Sequence, residues 1–98
     1  MVDFDQYYGV ISYDKFVEVV SKDVIKVLNE ETKEHLKKGI DSMEAHFGLG
    51  MAIRNRYIYP CMEKNKFAFQ IEPDDLSYDI VMQILKEIGG KIIKPDLS

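Results

Sequence analysis

The sequence predicts an all-α fold, a small antiparallel bundle of about four helices, and three observations carry that reading. Apolar residues recur at helical spacing in two stretches, Phe16 to Leu28 and Leu76 to Ile88. Ser12, Asn29 and Asp41 each stand where a helix N-cap belongs, with acids following in the first turn. Gly39, Pro60 and Gly89-Gly90 supply stops. The 98 residues are of single-domain size, and the chain is read as one globular unit spanning 1-98.

The first eleven residues contain Phe4, Tyr7, Tyr8, Val10 and Ile11, too apolar for a loose tail, so they are expected to pack on the body. From the Ser12 cap, Phe16, Val17, Val20, Val24, Val27 and Leu28 predict a first helix over 13-27. A hairpin competes there, because FVEVV and VIKVL are rich in β-branched residues. Asn29 with Glu30 and Glu31 opens a short, charged second helix that ends at Lys37, Lys38 and Gly39. Asp41 and Glu44 are spaced like a variant capping box and start a third helix, expected to stop near Tyr57 or Ile58 because Pro60 opposes continuation. Residues 64-71 alternate in KFAFQI and fit a short extended segment as well as a helix; strands there and in 16-28 would make the domain α+β. After Pro73, DDLS begins a last helix whose face is Leu76, Ile80, Val81, Ile84, Leu85 and Ile88. The tail KIIKPDLS lies on the body or forms an edge strand.

With 46% hydrophobic and 31% charged residues the composition is that of an ordinary soluble domain, and no apolar run approaches the roughly 18 residues of a spanning helix. The start MVDFDQYY puts acids where a secretory signal needs a basic end, which leads us to expect a cytoplasmic protein. Cys61 is the only cysteine, so an internal disulfide and a cysteine zinc cage are excluded. The net charge of -4 is unevenly spread: residues 1-49 hold ten acids and six lysines, whereas residues 50-98 hold seven of each sign. An acidic half repels nucleic acid and attracts basic proteins.

The stretch HFGLGMAIRN puts Gly48 and Gly50 inside the third helix, where each costs about 1 kcal/mol against alanine. Close approach of another backbone or bulky side chain is the expected reason. His46, Gly50, Arg54 and Tyr57 share one face, and Phe47, Met51 and Ile58 another. Two readings follow. In one, Arg54 pairs with Asp74 or Asp75 and fixes a helix crossing, Asn55 caps backbone groups, and His46 is a boundary residue. In the other, His46, Arg54 and Asn55 form a small ligand-binding or enzymatic site in which Arg54 clamps an anion and His46 moves a proton.

Other chemistry is unsupported, and no catalytic residue, metal or cofactor is expected. His35 lacks the i, i+4 partner of a helical metal site, and GLG lacks the lysine and serine of a phosphate loop. Cys61 with His46 has no third orienting group, and adjacent Asp74 and Asp75 suit a helix start better than an acid and base pair.

FGLGMAIRNRYIYP, followed further along the chain by EPDDLS and an amphipathic helix, resembles a group of small bacterial proteins with FGLG, IRN and PDD or PDE elements. Among these the chain is most similar to immunity proteins of contact-dependent growth inhibition systems. The similarity covers roughly residues 12-88 and is most specific at Phe47 to Asn55 and Pro73 to Ser77. It implies a helical scaffold held by His46, Phe47, Gly48, Gly50, Arg54, Asn55, Pro73, Asp74, Asp75 and Ser77. It also implies a non-enzymatic partner role: binding the cognate C-terminal toxin domain, an RNA-cleaving nuclease, with no direct nucleic-acid or membrane contact. The acidic N-terminal half would complement a basic cleft, and Tyr7, Tyr8 and Tyr13 among Asp3, Asp5, Asp14 and Glu18 form the expected contact surface. Blocking the toxin's active site and preventing its delivery or folding would each protect a cell. Self-association is not legible in the sequence.

Overall fold

The computed structural model describes residues 11-64, 67 and 69-93. Four helices in sequence order build it, which makes it the all-α bundle expected: α1 Tyr13–Val27, α2 Glu30–Lys38, α3 over 42-63, and α4 Pro73–Ile88. No helix among the described residues is long and apolar enough to cross a membrane.

Local chemistry starts and stops these helices. The side chains of Ser12, Asn29 and Asp41 accept hydrogen bonds from the N–H groups of Lys15, Thr32 and Glu44, at 3.2, 2.7 and 2.7 Å, satisfying donors that a helix N-terminus otherwise leaves bare. The 13-27 stretch is therefore helix and not hairpin. The Ser12 cap opens a helical ladder, and the period then buries Phe16, Val20 and Val24 on one side. Pro73 occupies the first turn of α4, where its missing N–H costs nothing. At the other end Gly89 takes φ +81, and the N–H of Gly90 reaches the carbonyl of Leu85 at 2.7 Å.

The third helix departs from expectation. It runs past Pro60 to Glu63 and alternates α and π turns, with π segments at Ala45–Gly50 and Arg54–Ile58. A proline inside a regular α-helix presses its ring on the carbonyl four residues back, here that of Arg56. The π segment just ahead widens that turn, so the chain continues through Pro60 instead of ending at Tyr57 or Ile58.

Packing is organised around α4. It lies against α1, against both π segments of α3, and against α2. Leu76, Ile80, Val81, Ile84 and Leu85 bury there with Phe16 and Val20 of α1, Leu36 of α2, and Ile53, Tyr57, Ile58 and Cys61 of α3. Two extended pieces close the ends. Phe67 forms an isolated parallel bridge with Ile11 and stacks edge-on against Phe16, while Phe69 sits edge-on to Tyr13. At the opposite end Ile92 bridges Ile40, with Ile40 N–H to Lys91 O at 3.1 Å and Ile93 N–H to Ile40 O at 2.7 Å. The two segments left open by the sequence, 64-71 and the tail, thus form single bridges and no strand among the described residues.

Candidate functional site

The FGLG and IRN elements meet EPDDLS where α3 crosses α4. Arg54, 5% exposed, donates from Nη1 to Ser77 Oγ at 2.8 Å and from Nη2 to the His46 carbonyl at 2.9 Å. Its Nε lies 3.7 Å from Asp74 Oδ1, and Ser77 Oγ in turn donates to the Asp74 carbonyl at 3.0 Å. One guanidinium therefore ties the first π segment to the first turn of α4. The planar fork is what permits it, because two donors leave in fixed directions from a buried group. His46 is half-buried with its ring edge-on to Phe47, Asn55 is exposed, and Asp75 points to solvent.

Gly48 and Gly50 have different reasons. A Cβ on Gly50 would lie 2.6 Å from the Ala45 carbonyl and 3.2 Å from Arg54 Nη1. The crowding comes from the carbonyl five residues back, which the π turn brings underneath, and not from another helix. At Gly48 a Cβ would meet only Glu44 Cγ at 3.7 Å. The close approach expected there is absent because residue 48 lies on the outer face of α3, away from α4.

A recess lies elsewhere, between α1 and α4. An open groove of 720 Å³ is lined by Tyr13, Asp14, Val17 and Glu18 of α1 and by Asp79, Met82, Gln83 and Lys86 of α4. A second hollow of 420 Å³ shares Tyr13 and Asp79 and adds Gln70, Glu72, Asp75 and Tyr78. The Tyr13 hydroxyl donates to Asp79 and joins the two walls. Five acids (Asp14, Glu18, Glu72, Asp75, Asp79) and one lysine (Lys86) line the combined surface. Burial, the Asp79 hydrogen bond, and the charges of Asp79, Asp75 and Asp14 all hold the Tyr13 phenol protonated well above its ordinary range. Glu18 is held below the usual carboxylate value by its hydrogen bond from Lys22 and by the charges of Lys15 and Lys22.

No family model, curated protein or solved structure matches the chain.

Of the residues expected to face a partner, Tyr13, Asp14 and Glu18 come together at this groove, whereas Asp3, Asp5, Tyr7 and Tyr8 lie outside the described residues. Asp79, Asp75, Glu72, Tyr78 and Met82 complete the surface. The polar face of α4 shows Asp75 and Asp79 at i, i+4 spacing, a signal present in the sequence, but only the crossing of α1 over α4 sets them beside Tyr13. Among the described residues no group of three or more His, Cys, Asp or Glu side chains is placed to hold a metal ion.

Proposed function

We propose that the chain is an immunity protein of a contact-dependent growth inhibition system, a cytoplasmic, non-enzymatic inhibitor that binds the C-terminal toxin domain of a delivered effector. The observation that carries the reading is the acidic groove between α1 and α4, joined across its walls by Tyr13 and Asp79. A nuclease that acts on RNA must present a basic cleft to phosphates. Five carboxylates about a recess whose lining includes the apolar Val17 and Met82 complement such a cleft. Tyr13 and Tyr78 supply amphipathic anchors of the type that concentrate binding energy at interfaces. Arg54 is buried and holds Ser77 and the His46 carbonyl with two of its donors, which favours a scaffold role for the FGLG and IRN elements over a ligand clamp.

Co-expression with the C-terminal toxin domain that the proposed role assigns to this chain tests the proposal. Growth is restored by the natural chain, and less completely by one carrying Asp14→Lys, Glu18→Lys and Asp75→Lys. Growth arrest that persists with both proteins folded and abundant would overturn the role.

A further inference from the structure

The outer face of α3 carries a pattern that neither the groove nor the core uses. Exposed residues recur there as pairs every four positions: Met43-Glu44, Phe47-Gly48, Met51-Ala52, Asn55-Arg56 and Tyr59-Pro60. In a regular α-helix of 3.6 residues per turn, each four-residue step advances about 40°, and four steps would carry the row almost to the opposite side. The two π segments add residues to the turns and cancel that drift, so the row stays straight. One column of it is apolar over Met43, Phe47 and Met51, with Met43 66% and Phe47 55% exposed. The neighbouring column reads Glu44, Gly48, Ala52, Arg56.

We propose that this chain self-associates as a two-fold pair, the α3 of one copy lying antiparallel on the α3 of a second. The second column is self-complementary when reversed. With the axis between Gly48 and Ala52, Glu44 faces Arg56 of the second copy at both ends, and Gly48 faces Ala52 in the middle. A two-fold interface meets the same patch on both sides, so a row of this kind satisfies itself twice. The small central pair lets the helices come close, and the apolar column then packs along the seam, with Phe47 and Met51 flanking the axis. Glu44 already accepts from His35 at 2.6 Å, which orients its carboxylate and leaves its second oxygen for the incoming guanidinium. Charge selects this face: the α1–α4 groove is acidic on every copy and repels itself, while the α3 row carries one charge of each sign. Because α3 turns its inner face to α4, pairing through the outer face leaves both grooves free.

Sedimentation velocity over a concentration series measures the mass, with the structure of every variant checked by circular dichroism. The natural chain sediments at twice 11.4 kDa. Arg56→Glu alone and Glu44→Arg alone each set like charges opposite one another and weaken the pair by roughly tenfold or more, and the double variant returns to within about threefold of the natural constant. A monomer mass up to millimolar concentration overturns the proposal. So does a pair that Arg56→Glu leaves unchanged, or a double variant no tighter than the singles, since either places the contact on another face.

Discussion

Replacing Arg54 by lysine separates a structural arginine from a ligand clamp. The guanidinium makes two hydrogen bonds inside the protein, to Ser77 Oγ and the His46 carbonyl, and its side chain is nearly inaccessible. An ammonium on a flexible stem reaches one of these acceptors and abandons the other. A hydrogen bond to a charged group is worth about 1.5-3 kcal/mol, and a stranded buried acceptor costs about 1-3 kcal/mol more. The expected loss is therefore about 3 kcal/mol, or a fall of roughly 12-24 °C in Tm for a domain of this size. Asp74, whose side chain is 72% exposed and 3.7 Å from Nε, contributes far less. Asp74→Asn should cost no more than about 1 kcal/mol. Urea unfolding followed by circular dichroism measures both variants, and a cycle with Ser77→Ala isolates the coupling. An Arg54→Lys protein within about 0.5 kcal/mol of the natural chain would refute the reasoning, because so small a change is that of a surface substitution.

Four further outcomes follow from the same geometry. Gly50→Ala lowers stability by about 2 kcal/mol through its clash with the Ala45 carbonyl, while Gly48→Ala, whose Cβ would make an ordinary 3.7 Å contact with Glu44 Cγ, raises the stability of the single chain by about 0.5-1 kcal/mol; the order of the two melting temperatures at low concentration checks the assignment. Ser21 is fully buried and its hydroxyl has no hydrogen-bond partner among the described residues, so Ser21→Ala should be neutral or stabilising by up to about 1 kcal/mol in the same urea experiment. Tyr57→Phe removes a 2.5 Å bond to Asp23 at the junction of α3 and α1, and costs about 1.5-3 kcal/mol in denaturant unfolding. Burial and Asp23 push the Tyr57 phenol up, as burial and Asp79 do for Tyr13, so the folded state keeps protons that the unfolded chain releases above about pH 10. Their contribution is complete below that pH and is lost as pH rises through the folded values; Tm measured from neutral to alkaline pH should fall there, and fall less in Tyr13→Phe/Tyr57→Phe.

What the sequence makes legible is local. Ser12, Asn29, Asp41 and Gly89 act within one turn of their own positions, so the starts of three helices and the end of the last can be read directly. The third helix could be read at its Asp41 start but not in its π turns or its run past Pro60 to Glu63, because a search at 3.6 residues per turn assumes the regular ladder that its two π segments abandon. The same geometry explains why Gly48 and Gly50 look alike in sequence and differ in space: residue 50 sits over the carbonyl of Ala45, and residue 48 faces outward. Pairing of Arg54 with Asp74 is suggested by charge and spacing, whereas its bonds to Ser77 and the His46 carbonyl depend on helix crossing and on the widened turn. At the groove, Tyr13, Asp14 and Glu18 belong to one helix and form a visible cluster. Asp75 and Asp79 arrive from more than sixty residues away, and no local pattern announces that they will face Tyr13.

Binding of the purified chain to the purified C-terminal toxin domain that the proposed role assigns to it, followed by stopped flow over a salt series, tests the central claim most directly. The account predicts a tight complex whose association slows by roughly tenfold or more, with a shallower salt dependence, when Asp14, Glu18 and Asp75 are neutralised to Asn, Gln and Asn. Absence of a complex at micromolar concentration would contradict the immunity role, and a tight complex with unchanged kinetics in the neutralised variant would remove the groove from it.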